Sequence, residues 1–419
     1  MLRRLLVLSL IVSFTLLISV APGMAQDDVT LRLATWQWED PAYTPFWHGS
    51  TEAFAEANPG VTIEPFHFPI DQLWDRLNIE IAAGTPPDLL EVTGFNVFEY
   101  MDQGVLAPLN QCFEGTGIVE NVLGQDEYAV DEEGNIYALN LSARTLQLYV
   151  NRNLFDEAGI EVPTNFEEFR EAAIALTDPA NEQYGLVLTN LAHSRLHEGV
   201  LVFVAGYGGH FSDENGQPAF TSEAVINGVQ FFKDLFDAGA MPQGVADGGA
   251  QYSYFNSGNV AMTIDGAWFW AVIEQNAPDL LEAVEIHPVP TDTQLPTGGV
   301  NNLIGIAAGS PNYDIACEYL KSIATPEWAQ VWTQSSRTIN PLEGSVPDEF
   351  LQENPWFQIY ADELPRAVPV AAPGLEIYHT DIVRLVNNRV VEVLYDNRPV
   401  AEAMADLQAD VEEFIEDQQ

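Results

Sequence analysis

Residues 254–271 place a carboxylate, a glycine and three aromatic side chains close together, in the stretch YFNSGNVAMTIDGAWFWA. An apolar run ends at Asp265, and Trp268 follows directly after a glycine turn. An indole at such a turn can stack on the apolar face of a ligand, and the Asp265 carboxylate can accept hydrogen bonds from ligand hydroxyls. The alternative is an aromatic core beside an ordinary Asp–Gly turn. If the segment stays extended, Trp270 points away from Trp268 and belongs to the core.

A second group of aromatic and acidic residues follows the first predicted strand. Residues 29–36 alternate apolar and polar side chains, which predicts a half-buried strand. Trp36, Trp38 and Glu39 lie at its carboxyl end, in the stretch ATWQWEDP. Open α/β sheets bind ligands at the carboxyl ends of their strands, so we expect at least one of these side chains to contact a ligand. The alternative is packing beneath the following helix.

The first hundred residues after position 28 alternate strand and helix patterns. This β-α-β-α-β order predicts an α/β fold with open, mostly parallel sheets. Thr164 followed by Glu167 predicts a capping box at the start of a helix. Later apolar stripes predict helices near 196–206, 222–239, 312–325, 380–395 and 400–416.

Composition restricts the class of partner. The chain has 419 residues, with 15 Lys and Arg against 62 Asp and Glu, and a formal net charge of -47. A nucleic-acid partner is excluded on this basis, because binding a polyanion requires clustered basic residues. The same scarcity of cations disfavours a strongly anionic small ligand.

The amino terminus has the pattern of a secretory signal peptide. Two arginines precede an apolar run, and small residues stand where signal peptidase cuts, so residues 1–25 are predicted to be removed. A membrane anchor is the alternative, but the run is short for a bilayer span of ~20 residues. No cysteine stands at the cleavage site, and we therefore predict a secreted protein without a lipid anchor, in the periplasm or outside the cell.

Two cysteines and two histidines raise further possibilities. Secretion permits a disulfide between Cys112 and Cys317, but two buried free thiols are also compatible with their spacing. His193 and His197 stand four residues apart in HSRLH, where a helix could present both to a metal. A third ligand at a recognisable spacing is missing, so we predict neither a metal nor a cofactor. The chain also lacks the usual sequence motifs of nucleophilic hydrolases and nucleotide-binding loops.

Four segments in the same order resemble family 1 extracellular solute-binding proteins of ABC importers, the maltose-binding-protein-like group. They are GTPPDLL (84–90), LYVNRNLFDEAGIEVPTNFEEF (148–169), YFNSGNVAMTIDGAWFW (254–270) and the stretch 298–330. The resemblance covers nearly the whole mature chain. It implies a monomer with two α/β lobes that close about a hinge on a sugar or oligosaccharide and then dock on a membrane permease. Lobe one is expected to hold 27–138 and 297–338, and lobe two 139–296 and 339–419.

The resemblance also implies roles for individual residues. The tryptophan at the position of Trp268 often stacks on a sugar ring in this family. Arg144 falls in a segment that crosses between the lobes, so it faces either the cleft or the solvent. Phe95, in EVTGFN, follows a strand in the same way as Trp36 and is therefore also a candidate ligand contact. Many members carry an acidic residue near this point, and the departure of Gly94 and Phe95 from that pattern weakens the transfer of any particular sugar preference. Tyr252, which precedes the strand of the third segment, belongs either to the ligand site or to the core.

Three more positions have two interpretations each. Gly298 and Gly299 would let the backbone approach a ligand closely, or would simply form a turn. Arg337 resembles a position where some members hold ligand, but it is also suited to an ordinary ion pair on an acidic surface.

We expect a non-catalytic binding protein. The alternatives are a polyamine or other cation binder of the same fold, which aromatics and carboxylates would suit, and a secreted glycoside hydrolase.

Overall fold

The computed structural model describes residues 28–94, 96–125, 128–131, 133–293 and 297–418. The predicted signal peptide and Phe95 lie outside the described residues. The strands are β1 Val29–Thr35, β2 Val61–His67, β3 Leu89–Thr93, β4 Leu139–Thr145, β5 Gln147–Asn151, β6 Tyr184–Val187, β7 Val260–Asp265, β8 Val284–His287, β9 Thr297–Ile306 and β10 Val368–Pro369. Among the described residues, no helix has the length and apolarity needed to cross a bilayer.

The helices account for the remaining regular structure. They are α1 Thr44–Ala57, α2 Ile70–Ala82, α3 Val97–Asp102, α4 Asn110–Phe113, α5 Ile118–Asn121, α6 Arg152–Ala158, α7 Phe166–Ala175, α8 Ser194–Gly206, α9 Glu223–Asp237, α10 Gly248–Asn256, α11 Trp268–Asn276, α12 Tyr313–Ile323, α13 Pro326–Ser336, α14 Asp348–Glu353, α15 Gln358–Glu363, α16 His379–Tyr395 and α17 Val400–Gln418. Short 3-10 turns occupy Pro179–Asn181, Pro278–Ala283, Pro355–Phe357, Leu364–Arg366 and Glu376–Tyr378.

The first sheet forms the centre of lobe one. Its strand order is β10-β9-β3-β1-β2. The sixth strand, β4, pairs with β9 on the edge opposite β3. The predicted β-α-β-α-β order is confirmed, because β1 is parallel to both β2 and β3. Strand β9 runs antiparallel to β3 and β4, so the sheet is mixed rather than mostly parallel. Leu31 and Leu33 of β1 are fully buried in this core.

The second sheet forms the centre of lobe two, in the order β6-β7-β5-β8. Strand β5 is antiparallel to β7 and β8, and only β6 and β7 are parallel. Helices α8, α9, α16 and α17 pack together on this lobe around one apolar core. The predicted stripe on α16 is buried, as its residues Ile382, Val386, Val390 and Val393 show. The two-lobed α/β fold is therefore confirmed, with mixed sheets in both lobes.

At one crossing the chain passes from the first sheet to the second almost directly from strand to strand. Only Leu146 separates β4, in the first sheet, from β5, in the second. Because β4 pairs with β9 as far as Thr145 and Gly298, residues 139–145 lie with lobe one. This segment was predicted to belong to lobe two, because a strand pattern alone does not reveal which strand is its partner.

The cap of α7 is one residue later than predicted. Asn165 is the N-cap, and its side chain accepts a hydrogen bond from the Glu168 amide. The Glu168 carboxylate accepts hydrogen bonds from the Thr164 amide and hydroxyl at 2.8 and 2.7 Å. The local chemistry is thus that of a capping box, shifted from Thr164 and Glu167 by one position.

A disulfide between Cys112 and Cys317 joins α4 to α12 within lobe one. Their Cα atoms are 5.7 Å apart although 205 residues separate them along the chain. The sequence left this pairing open, because spacing alone cannot pair distant cysteines. The bond links the two separate chain segments from which lobe one is built.

We predict that replacing both cysteines by alanine lowers the free energy of unfolding by about 2–4 kcal/mol, because the unfolded chain is no longer closed into a long loop and regains conformational entropy. Urea unfolding monitored by circular dichroism measures this loss. Reductant should destabilise the wild-type protein by a similar amount and leave the double variant unchanged. Equal stability of both proteins under oxidising conditions would contradict the prediction.

Candidate functional site

A cleft of about 1070 Å³ lies between the two lobes. Lobe one contributes residues that follow β1 and β3 or lie on α2, β4 and β9, and lobe two contributes residues of α8 and α11. Its lining includes Trp36, Tyr43, Trp74, Asn78, Thr93, Tyr100, Asn302, Arg144, His193, Arg195, Glu198, Trp268, Gln275 and Thr380. Several of these residues stand at carboxyl ends of strands, where open α/β sheets bind ligands.

Trp268 is the first residue of α11 and lines the cleft from lobe two. Its ring lies against Gly266, where an added Cβ would meet the indole at 1.8 Å. Gly266 is therefore needed for the close approach of the ring to the chain. The indole Nε1 donates a hydrogen bond of 2.9 Å to the Tyr252 hydroxyl. Trp268 thus has one fixed orientation before any ligand arrives.

An ion pair beneath Trp268 supports the same wall of the cleft. Arg195 Nη1 lies 2.8 Å from Asp265 Oδ2, and Arg195 Nη2 donates to the Tyr252 hydroxyl. Asp265 is fully buried and also accepts from the Gly266 amide at 2.8 Å. Burial raises the pKa of the Asp265 carboxyl, and the adjacent Arg195 guanidinium opposes that rise. Burial also raises the pKa of Tyr252, so its hydroxyl keeps its proton at physiological pH.

A second ion pair occupies the floor of the cleft. Arg144 Nη2 lies 2.6 Å from Glu198 Oε1, and both side chains are largely buried, with exposed fractions of 10% and 8%. The Arg144 guanidinium carbon lies 5.1 Å from the centre of the Trp268 ring, within the range of a cation–π contact. Both cleft arginines therefore have a carboxylate partner on lobe two.

The lobe-one wall is aromatic, with acidic residues among its lining. The rings of Trp36 and Trp74 meet edge to face, with 5.4 Å between their centres. Asp40 and Glu99 also line the cleft and place carboxylates on this side. The cleft therefore combines aromatic surfaces on both walls with a charge balance that is neutral to negative.

The structure brings three predicted site residues together in the cleft: Trp268, Trp36 and Arg144. Two others, Asp265 and Tyr252, lie behind Trp268 and hold it and Arg195 in place. The segment after Asp265 is helical rather than extended. Trp270 nevertheless points away from Trp268 and stacks on Trp356, with 4.5 Å between ring centres.

The remaining predicted residues lie elsewhere. Trp38 packs on His48 of α1, with 4.4 Å between ring centres, as expected for packing beneath the following helix. Glu39 is exposed and lies outside the residues that line the cleft. Arg337 ends α13 and places its guanidinium 5.2 Å from the Phe350 ring rather than in the cleft. Phe95 falls outside the described residues.

The paired glycines serve the crossing strands. A Cβ on Gly298 would meet the Arg144 carbonyl oxygen at 2.1 Å, so the close approach is to β4 and not to a ligand. Gly299 has a φ of 124°, a conformation that favours glycine. It lines a second cavity of about 940 Å³, together with Ala143. Because Ala143 and Arg144 are neighbours on a strand, the two cavities lie on opposite faces of the crossing strands.

Arg195, Glu198 and Trp74 were not among the residues predicted for the site. HSRLH was considered only as a possible metal motif, yet these residues open α8 after the loop that follows β6, the side of a strand where open sheets bind ligands. His193 caps α8 by accepting from the Arg195 amide. His197 packs instead on Phe211, and burial lowers its pKa to about 3. Among the described residues, no group of three or more His, Cys, Asp or Glu is arranged to hold a metal.

Comparison with known proteins gives a consistent result. Residues 40–330 match the family model described as bacterial extracellular solute-binding protein. A putative binding protein of Brucella abortus (strain 2308) is 25% identical over 343 residues, which cover 79% of this chain and 81% of the relative. The maltotriose-binding protein of Pyrococcus abyssi is 25% identical over 299 residues, covering 70% and 62% of the two chains.

The fold also matches solved structures. The GacH receptor of Streptomyces glaucescens, determined unliganded and with acarbose and an acarbose homolog, superimposes with a TM-score of 0.80. The match covers 93% of this chain and 98% of the receptor at 22% sequence identity. At this level of identity the similarity demonstrates a common fold.

We predict that Gly266→Ala displaces the Trp268 ring, because the new methyl group would overlap the indole, and costs about 1–3 kcal/mol of stability. The cost should largely disappear when Trp268 is alanine, since the obstructing ring is then absent. Urea unfolding of the two single variants and the double variant measures this coupling. Additive effects of the two substitutions would show that the glycine is needed for another reason.

Proposed function

Since the chain belongs to the family of bacterial extracellular solute-binding proteins, we propose that it captures an uncharged sugar or oligosaccharide in the interlobe cleft. The loaded protein then delivers this ligand to the membrane permease of an ABC importer. It acts as a monomer outside the cytoplasm, in the periplasm or at the cell exterior, and it is not an enzyme. The maltotriose-binding relative and the acarbose-bound receptor support a saccharide ligand.

The observation that carries this proposal is the fixed indole of Trp268 on one wall of the cleft and the Trp36–Trp74 pair on the other. The C–H face of a pyranose ring is apolar and matches an aromatic plane, while its hydroxyls need partners at the ring edge. Such partners line the cleft in the side chains of Asn78, Asn302 and Gln275.

Charge in the cleft favours an uncharged ligand. Both Arg144 and Arg195 already pair with carboxylates of lobe two, so an incoming anion would have to compete with Glu198 or Asp265. The carboxylates of Asp40 and Glu99 would also repel an anion. A neutral polyol gains hydrogen bonds from these groups without displacing either ion pair.

The crossing strands support capture by closure about a hinge. Rotation at the junction of β4 and β5 would bring the Trp36 wall towards Trp268 and remove the ligand from water. In this proposal lobe one comprises residues 27–138 and 297–338, together with the paired strands 139–145 and Val368–Pro369, and lobe two comprises the rest of the mature chain. The small number of residues between β4 and β5 favours rigid-body motion of the lobes.

A polyamine is the second candidate ligand, and Asp40 and Glu99 beside aromatic rings are the observation in its favour. A thermal-shift screen separates the two classes. We expect a cognate saccharide to raise the melting temperature by mass action and spermidine to leave it unchanged. Stabilisation by spermidine alone would replace the sugar with a cation as ligand.

Chromatography of the incubated oligosaccharides tests for a glycoside hydrolase, and any shortened product would contradict a binding-only role.

We predict that Trp268→Ala weakens saccharide binding by about 1–3 kcal/mol, the cost of losing a stacking anchor. Isothermal titration calorimetry measures the affinity. The matched control is Trp270→Ala, two residues along the same helix, whose ring stacks on Trp356 away from the cleft. We expect the control to bind like the wild type. Equal losses for both variants would assign Trp268 to the core.

A further inference from the structure

A carboxyl group lies buried below the lobe-one wall of the cleft. Glu91 is in the middle of β3 and has no exposed surface. Its neighbours in the chain, Val92 and Leu90, are core residues of the same strand. A buried carboxyl group is costly unless it is hydrogen bonded, so its retention in a strand of apolar residues requires a local explanation.

The Glu91 carboxyl accepts hydrogen bonds from residues on both neighbouring strands, β1 and β9. The Thr35 hydroxyl donates to Oε2 at 2.5 Å, and the Asn302 amide group donates to Oε1 at 3.1 Å. The backbone amide of Trp36 is a further donor to this carboxyl. Trp36 and Asn302 both line the cleft. Glu91 therefore contacts two cleft residues directly, Trp36 through its backbone and Asn302 through its side chain.

The same contacts extend to the crossing strands. Asn302 lies on β9, and its side-chain oxygen accepts a hydrogen bond of 2.7 Å from Ser142 on β4. Thr35 in turn accepts a hydrogen bond of 3.0 Å from the Gln37 amide, just beyond the end of β1. Glu91 therefore contacts the start of the loop that carries Trp36 and strand β9 directly, and it is linked to β4 through Asn302.

The surroundings of Glu91 favour its neutral form. Two titratable groups on neighbouring elements interact electrostatically with Glu91: Tyr43, just before α1, and Tyr319 on α12. Burial raises the pKa of each hydroxyl, and Glu91 raises it further. Among the described residues, no cation contributes to the titration of Glu91. Burial raises the pKa of Glu91 to about 8, against the lowering effect of its hydrogen bonds to Thr35, Asn302 and Trp36. The carboxyl thus keeps its proton at neutral pH and loses it under mildly alkaline conditions.

We propose that Glu91 is a positioning residue of the cleft, which holds Trp36 and Asn302 in place through the hydrogen bonds that its carboxyl accepts, and that placing a full charge on this buried carboxyl shifts both residues and weakens ligand binding. Ionisation would leave an unpaired charge in the core of lobe one, and the surrounding chain would have to move to admit water. The consequence for ligand affinity rests on the proposed saccharide function. The displacement of Trp36 does not.

The first test reads the position of Trp36 without any ligand. The protein is labelled with 5-fluorotryptophan, and the fluorine resonance of Trp36, one of nine tryptophans, is assigned by its absence in Trp36→Phe. We expect this resonance to titrate with a midpoint near pH 8 in the wild type. It should stay constant in Glu91→Gln, whose amide keeps the shape and cannot ionise. In Thr35→Val the midpoint should move to higher pH, because a hydrogen bond that favours the anion is lost.

The second test measures saccharide affinity by calorimetry between pH 6.5 and pH 9. If only the neutral form binds, the wild-type Kd should rise about tenfold by pH 9, and Glu91→Gln should show no such rise. Thermal unfolding verifies that each variant is folded. A constant Trp36 resonance, or an equal alkaline loss of affinity in wild type and Glu91→Gln, would overturn the proposal. If no saccharide binds at any pH, the proposed function fails, and the fluorine titration alone decides the role of Glu91.

Discussion

The pairing of β4 with β9 is the constraint on which the rest of the structure depends. Both strands lie in the first sheet. In chain order β4 is followed by β5 of the second sheet, and β9 comes after β8 of the second sheet. Their hydrogen bonds require Gly298 to sit against the β4 backbone, where a side chain would not fit. Alternation along β4 then places Arg144 in the interlobe cleft and Ala143 on the opposite face. The position of the cleft thus follows from a strand register.

Lobe two organises its side of the cleft by placing ion pairs under an aromatic ring. Asp265 is buried at the end of β7, Arg195 pairs with it from α8, and Tyr252 hydrogen bonds both Arg195 and Trp268. Each buried charge has its partner before a ligand enters, so ligand binding need not bear the cost of ordering these groups. The aromatic surface is therefore rigid although it stands at the start of a helix and is partly exposed.

Much of the fold could be predicted because its signals are local. The alternation of residues 29–36 and the apolar stripe of α16 predict elements that the structure confirms. The shape of each sheet could not be predicted in this way, because the antiparallel entry of β9 between β3 and β4 depends on residues more than 150 positions apart. The family resemblance supplied the two-lobed arrangement that local patterns did not contain.

The site was predicted less completely, and for the same reason. Trp268 and Trp36 were found because each follows a strand in a recognisable motif. Arg195 was overlooked because its role depends on Asp265, which is 70 residues away and gives no local signal. Trp38 had the right residue type at the right strand end, yet it turns towards His48. Proximity to a strand end thus identifies the region of a site better than it identifies the individual side chains.

The disulfide between Cys112 and Cys317 has a mechanical consequence. The bond closes a covalent ring that contains β5 to β8, and hence the whole of the second sheet. Tension applied to the two ends of the chain passes through the bond and bypasses the ring. Under oxidising conditions, a protein-unfolding enzyme that threads the chain from its carboxyl end must pull two linked segments of chain at once when it reaches Cys317. Such an enzyme needs a pore wide enough for two chain segments, or a reductant, before it can extract the second sheet.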